Sequence, residues 1–131
     1  MLATADGNLT AVIWDFEQPA QKVSDRPFYT KVVPAHPAAP IELQVTHLLP
    51  GAAYRLDVYR TGYHANDAYT AYLEMGAPKD LSPKEIAHLN EITRDAAERD
   101  EILRAESDGT VKVSLTMQSN DIVLVTLRRE K

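Results

Sequence analysis

Residues 54–75 read YRLDVYRTGYHANDAYTAYLEM, and the stretch begins as a β-strand that does not turn back where it should. It holds five of the six tyrosines of the chain. Flat amphipathic rings mixed with hydrogen-bonding side chains suit a polar, ring-shaped ligand or a protein interface. Tyrosines at alternate strand positions also pack against a sheet, so packing stands as the alternative. The candidate contact residues are Arg60, Tyr63, His64, Asn66, Asp67, Tyr69 and Tyr72.

Short alternating strands surround this stretch. Ile41–Val45 alternates apolar and polar residues, and Leu49-Pro50-Gly51 turns the chain into Ala53–Arg60, which predicts a hairpin. The C-terminal third repeats the pattern with three strands separated by polar turns, at residues 101–106, 110–117 and 122–127. Regularly spaced short strands with Pro, Gly and Asp turns predict a mainly β fold, an antiparallel β-sandwich of immunoglobulin-like architecture.

The N-terminal forty residues predict a hairpin followed by a proline-rich segment. Asp6-Gly7 signals a turn into residues 9–16, whose two apolar sides predict a strand buried on much of both faces, with Trp14 in the core. Residues 17–40 carry five of the eight prolines, which cannot donate to a strand ladder. Only Phe28–Val33 is predicted to pair in that segment, as a short edge strand.

One helix interrupts the strand pattern. Ser82-Pro83-Lys84-Glu85 combines a capping hydroxyl, a proline at the first helical position and a glutamate three residues after the cap. Apolar residues then recur at helical spacing on one narrow face. Residues 61–100 are therefore predicted to form one insertion, an aromatic loop followed by an amphipathic helix. Long ordered insertions on a sandwich are often functional or cover a sheet edge.

Composition limits the classes of function. The 131 residues fit one domain, and the net charge of −5 without a dense basic patch argues against a nucleic-acid surface. The sequence has no apolar run long enough to span a bilayer and no cysteine for a disulfide or a thiolate site. The N-terminus lacks a signal peptide, so we expect a cytoplasmic protein. It enters almost directly into strand-like sequence, so we also expect the chain to continue a larger protein.

The sequence contains no constellation typical of a reaction centre. Nucleophile elbow, phosphate-binding glycine loop and metal-ligand spacings are all missing, and the four histidines are dispersed. Glycoside hydrolysis requires two carboxylates that converge on one bond. Asp15, Glu17, Asp67 and Glu74 are the available candidates, and none is distinguished by its neighbours. We therefore predict no catalytic residue, no metal and no cofactor in this chain.

Three segments together resemble a known family. They are ATADGNLTAVIWDFEQP at residues 3–19, LLPGAAYRLDVYRTGYHANDAYTAYLEMGAPKDLSPKEIAHLNEIT at residues 48–93, and NDIVLVTL at residues 120–127. They resemble the C-terminal β-domain of glycoside hydrolase family 39, the β-xylosidase family, over nearly the whole chain. The most specific part is the tyrosine-rich block from Tyr54 to Pro78.

The resemblance implies an enzyme in which an upstream (β/α)8 barrel carries both catalytic glutamates and cleaves β-xylosides with retention. Residues 1–131 would then be a non-catalytic accessory sandwich that packs on the barrel of the same polypeptide. Its insertion would support stability, homo-oligomerisation or the rim of the active site.

Two other functions compete with this hypothesis. In a carbohydrate-binding module, the tyrosine rings would stack on xylo-oligosaccharide while Arg60, Asn66 and Asp67 bond its hydroxyls. An autonomous small hydrolase would require turnover of an aryl xyloside by this chain alone.

Overall fold

The computed structural model describes residues 2–3, 8–20, 23–24 and 26–131. The predicted turn at Asp6-Gly7 lies outside these residues. The strands are β1 (Leu2–Ala3), β2 (Leu9–Trp14), β3 (Ile41–Val45), β4 (Ala53–Thr61), β5 (Arg99–Arg104), β6 (Val111–Leu115) and β7 (Ile122–Arg129). The helices are α1 (Arg26–Tyr29), α2 (Ala68–Glu74) and α3 (Pro83–Ile92). Among the described residues, no helix combines the length and the apolar character needed to cross a bilayer.

The strands form two antiparallel sheets that share one core. The larger sheet has the order β1-β2-β7-β4-β5, and the smaller sheet pairs β3 with β6. Side chains from both sheets join a single buried cluster: Leu9, Ala11, Val45, Tyr54, Leu56, Val58, Ala105, Val111, Val113, Leu115, Met117, Val123, Val125 and Leu127. This arrangement confirms the predicted β-sandwich. The immunoglobulin-like detail stays a prediction.

Apolar residues at alternate positions of β4 and β7 explain why these two strands form the centre of the core. Tyr54, Leu56 and Val58 are buried on the inner face of β4. Val123, Val125 and Leu127 do the same on β7. Each such aliphatic side chain contributes about 1.5–3 kcal/mol when it is removed from water.

The predicted hairpin between Ile41–Val45 and Ala53–Arg60 is wrong. Its first strand, β3, pairs with β6 in the smaller sheet, while β4 pairs with β5 and β7 in the larger one. The connection between them crosses from one sheet to the other, and the Leu48 N–H donates to the Gly109 carbonyl at 3.0 Å. Alternation identifies the buried face of a strand but does not identify its partner, which explains the error.

The predicted edge strand Phe28–Val33 is also wrong. Its first residues belong to the helical turn α1, and residues 30–36 lie outside any strand. The Ser24 hydroxyl accepts from the Arg26 N–H at 3.1 Å, and a proline follows in the first turn. Both are helix-start features, which outweigh the β-propensity of the residues that follow.

One face of β2 is open to solvent, contrary to the prediction for this strand. Leu9 and Ala11 point into the core, but Val12 is half-exposed and Trp14 is 66% exposed. Trp14 lies beside Ile122 of β7 on the side of the larger sheet that the smaller sheet does not cover. The predicted core position of Trp14 is therefore wrong, because Trp14 belongs to an exposed apolar face of the larger sheet.

The predicted capping box at the start of α3 is confirmed. The Ser82 hydroxyl accepts from the Glu85 N–H, and the Glu85 carboxylate accepts from the Ser82 N–H at 2.7 Å. Hydrogen bonds from the Ser82 hydroxyl and backbone lower the pKa of Glu85 below its ordinary value. The capping box thus stabilises the ionised form of Glu85 at the helix N-terminus.

This pKa shift predicts a pH-dependent helix. A lowered folded-state pKa contributes stability that is present above the ordinary glutamate pKa and is lost as pH falls through the lowered value. We expect amide protection in the first turn of α3 to fall on acidification below about pH 4.5. Glu85→Gln keeps an acceptor for the Ser82 N–H and should flatten this local dependence. An equal pH response in both proteins would contradict the assignment to Glu85.

Candidate functional site

The insertion leaves β4 through a tight turn. Gly62 and Ala65 exchange two backbone hydrogen bonds of 2.9 Å, which places Tyr63 and His64 at the tip. His64 and Asn66 adopt positive φ angles of 58° and 53°. The chain therefore reverses within a few residues of the strand end and returns toward the sheet.

The tyrosine-rich segment then forms α2, where the sequence predicts a loop. Asp67 caps this helix, because its Oδ1 accepts from the Thr70 N–H at 3.0 Å. The rings of Tyr69 and Tyr72 lie three residues apart on the helix, with centroids 6.4 Å apart. Two helices, α2 and α3, thus fill the insertion and lie in contact with each other.

A groove of about 610 Å³ lies between the insertion and the open end of the larger sheet. Four segments form its walls: the end of β2 with Trp14 and Phe16, residues 29–35, residues 61–73 of the insertion, and residues 119–122. Large apolar side chains stay in contact with solvent there: Phe16 is 73% exposed and Tyr69 is 52% exposed. A monomeric domain seldom leaves so many aromatic rings together in water, so the groove is the candidate binding surface.

The structure brings four of the seven predicted contact residues to this groove. Tyr63, Asn66, Asp67 and Tyr69 belong to its lining. The other three, Arg60, His64 and Tyr72, are not among the lining residues. The contact role of all seven residues stays a prediction.

Most polar groups of the insertion are bonded within the domain. His64 stacks on Tyr63 with ring centroids 4.0 Å apart, and its Nε2 lies 2.7 Å from the Glu74 carboxylate. The Tyr69 hydroxyl donates to the Tyr29 carbonyl, and the Tyr72 hydroxyl donates to the Pro78 carbonyl at 3.2 Å. The rings and the apolar edges are what the insertion offers to a partner.

Arg60 is engaged at the base of the insertion. Its Nε lies 2.8 Å from the Glu98 carboxylate, and its Nη1 donates to Asp121. The hydrogen bond to Glu98 and the attraction of both carboxylates raise the pKa of Arg60 above its ordinary value, against the effect of burial. The guanidinium therefore stays charged at any pH at which the domain folds.

Sequence reasoning missed the other side of the groove. Trp14, Phe16 and Ile122 come from strands and strand ends, and Tyr29 comes from α1. The available signal was the run of large apolar residues on both sides of β2, directly before the prolines. That pattern predicts a strand buried on two faces, whereas one of the faces is exposed.

Two carboxylates line the groove, and one of them is the N-cap of a helix. Asp15 and Asp67 both line it. The Oδ1 of Asp67 caps α2, and its Oδ2 lies 3.4 Å from the His64 backbone nitrogen, which donates to it. In the described part of the chain, no group of three His, Cys, Asp or Glu side chains is arranged to hold a metal ion.

Comparison with known proteins identifies the class. No protein-family model matches the chain, and no curated protein sequence matches it. Solved structures do match. A family 39 glycoside hydrolase from Xanthomonas axonopodis pv. citri shares 46% identity with a TM-score of 0.84, and a monomeric β-xylosidase from Caulobacter crescentus CB15 shares 40% with a TM-score of 0.84. Each match covers 92% of this chain and 24% of the other.

A further β-xylosidase of family 39, from Caulobacter crescentus, shares 26% identity with a TM-score of 0.68. This match covers 96% of the present chain and 21% of the β-xylosidase chain. The chain is thus a β-sandwich domain of the kind that glycoside hydrolases carry. It belongs to glycoside hydrolase family 39, as its sequence resemblance implies, and it spans about a quarter of the length of the enzymes that it matches.

Proposed function

We propose that this domain is a non-catalytic accessory domain that packs on the catalytic (β/α)8 barrel of a retaining β-xylosidase. The exposed aromatic groove is the observation that supports this proposal. The matched enzymes are about four times as long as this chain, so most of each lies outside the matching domain. A partner surface in the same polypeptide would cover the groove and support stability, oligomerisation or the active-site rim.

The chemistry of the groove favours a protein partner. Trp14, Phe16 and Tyr69 offer large rings in contact with water, and aromatic residues are enriched in the cores of protein interfaces. Rings of this kind commonly form the few contacts that dominate binding energy. An apolar partner surface can bury these three rings without forming hydrogen bonds to the groove wall.

The same groove is less suited to a carbohydrate-binding module. Sugar recognition requires polar side chains that are free to bond hydroxyl groups beside the stacking rings. Asn66 already donates to Thr61, Asp67 caps α2, and the Tyr69 hydroxyl donates to Tyr29. Arg60, the third residue that the sequence predicts to bond sugar hydroxyls, is engaged with Glu98 and Asp121. We therefore favour docking over sugar binding.

The proposal predicts that two groove aromatics control binding to the barrel. The 131-residue chain is titrated by calorimetry with the separately produced barrel of the same enzyme. We expect the double variant Trp14→Ser/Phe16→Ser to weaken binding at least 100-fold, because interface anchors cost about 2 kcal/mol or more each. Both side chains are exposed, so the melting temperature of the free chain should change little.

Ile102→Ser is the matched control. Ile102 is also a half-exposed large apolar residue, but it lies on β5, away from the groove lining. We expect its binding to the barrel to stay within about twofold of the unmodified chain, as for most residues outside a hot spot. Equal affinity for all three proteins would contradict the proposal. Saturable amide shifts around residues 63–72 with xylo-oligosaccharide would favour the binding module.

A further inference from the structure

A single guanidinium joins the two ends of the insertion to the sheet. Arg60, the second-last residue of β4, forms a two-pronged pair with Glu98, with distances of 2.8 Å and 2.9 Å. Its Nη2 also donates to the Thr116 carbonyl at 2.9 Å, and its Nη1 donates to Asp121. Glu98 directly precedes β5, so Arg60 connects the exit and the return of the chain with the β6–β7 connection.

Asp121 fills the space beside the first residue of the turn. It is 2% exposed, and its Oδ2 accepts from the Gln118 N–H at 2.9 Å as well as from Arg60. A Cβ atom on Gly62 would lie 2.0 Å from the Asp121 Oδ1, so a side chain at position 62 would displace the carboxylate. The same carboxylate therefore bonds the strand end and packs against the turn that follows it.

Three further hydrogen bonds close the base of the insertion. The Asn66 amide donates to the Thr61 hydroxyl at 3.1 Å and to the Asp95 carboxylate at 3.4 Å. The Glu98 N–H donates to the Val58 carbonyl at 2.8 Å. These bonds hold the returning chain beside β4, but none of them reaches the β6–β7 connection. In the described part of the chain, the side chains of Arg60 and Asp121 tie the start of the insertion to that connection, next to the backbone pairing of Thr61 with Ile122.

We infer that Arg60 and Asp121 are positioning residues, which fix the turn Gly62–Ala65 against the sheet and so set the distance between the two walls of the groove. Tyr63 of one wall lies within this turn, and Asn66 of the same wall follows it directly. Ser119, Asn120 and Ile122 of the other wall flank Asp121. A buried, hydrogen-bonded ion pair resists displacement because separating it would leave charge without solvent. The docking consequence of this inference rests on the proposed function, whereas the positioning itself does not.

Amide hydrogen exchange in the 131-residue chain tests the inference. We expect Arg60→Met to lower the protection of the Gly62 and Ala65 amides roughly tenfold more than that of the central amides of β4 and β7. Arg99→Met is the matched control. Arg99 also pairs with a carboxylate, Glu101, and donates to a β6 carbonyl, that of Ser114. Its loss should leave the ratio of turn to sheet protection unchanged.

A purely structural role predicts a different result. If Arg60 only stabilises the sandwich, protection in the turn and in the sheet will fall by the same factor, and the inference is overturned. Arg60→Lys serves if the methionine variant does not fold, since lysine keeps the charge but cannot span three partners. It should loosen the turn relative to the sheet, to a smaller extent, and an unchanged ratio would equally overturn the inference.

Titration of the same variants with the barrel separates this inference from the proposed function. A loosened turn together with weaker barrel binding supports both. A loosened turn with unchanged barrel binding keeps the positioning role and removes the groove as the docking surface. An unchanged turn removes the positioning role, whatever the barrel affinity.

Discussion

Leu56→Ala is expected to lower the free energy of unfolding by about 2–5 kcal/mol, a large part of the about 5–15 kcal/mol of a typical domain. Leu56 is 0% exposed and lies on β4, which pairs with both β5 and β7. Shortening its side chain removes buried methyl groups and leaves a cavity that two neighbouring strands prevent from closing. Thermal unfolding followed by circular dichroism should show a melting temperature lower by roughly 10 °C.

Ile102→Ala is the control for this variant. Ile102 lies on β5, beside the same strand, but half of its surface is in water. Its truncation should change the free energy of unfolding by about 0.5 kcal/mol or less. Similar losses in both variants would mean that the inner face of β4 is not the centre of the core.

The strands are the part of the fold that the sequence predicts well. Alternation in Tyr54, Leu56 and Val58 identifies the buried face of β4, and the capping signals at Ser82 and Glu85 locate α3. Both signals act over a few residues and depend on local geometry. Strand partners are decided by contacts between distant residues, so the predicted hairpin places β3 in the wrong sheet.

The candidate site is harder to predict, because it joins segments far apart in the chain. The tyrosine-rich stretch indicates one wall, but Trp14, Phe16 and Ile122 of the other wall have the composition of core residues. Apolar composition predicts burial, and no local pattern shows that a sheet face lacks a covering layer. The resemblance to family 39 implies a larger polypeptide, which in our proposal covers this face.

Arg60 shows the reverse case. Next to a tyrosine-rich segment, an arginine is a natural candidate for bonding sugar hydroxyls, and its sequence position offers no other role. The structure shows its partners to be Glu98 and Asp121, which lie 38 and 61 residues away in the chain. Because these partners are distant in the chain, no local pattern indicates this role. Through the same partners, Arg60 holds the insertion against the sheet.

Two buried aspartates provide a second large effect with an internal comparison. Asp121 accepts from Arg60, whose side chain is 14% exposed, whereas Asp57 accepts from Arg128, whose side chain is 56% exposed. Asp121→Ala should lower the free energy of unfolding by about 3 kcal/mol, because the Gln118 N–H and one edge of a mostly buried guanidinium lose their acceptor. Denaturant unfolding measures the loss.

Asp57→Ala removes the same charge and the same number of atoms, so the two variants differ only in what they leave behind. In this variant, water can solvate the exposed Arg128 guanidinium directly. Of the groups bonded to Asp57, only the Thr126 hydroxyl loses its partner, at a cost of about 1 kcal/mol. Asp121→Asn, which keeps the volume and one acceptor, should fall between the two. An equal cost for both alanine variants would show that water replaces the lost acceptor at Arg60 as well. The base of the insertion would then be more open to solvent than the 2% exposure of Asp121 indicates.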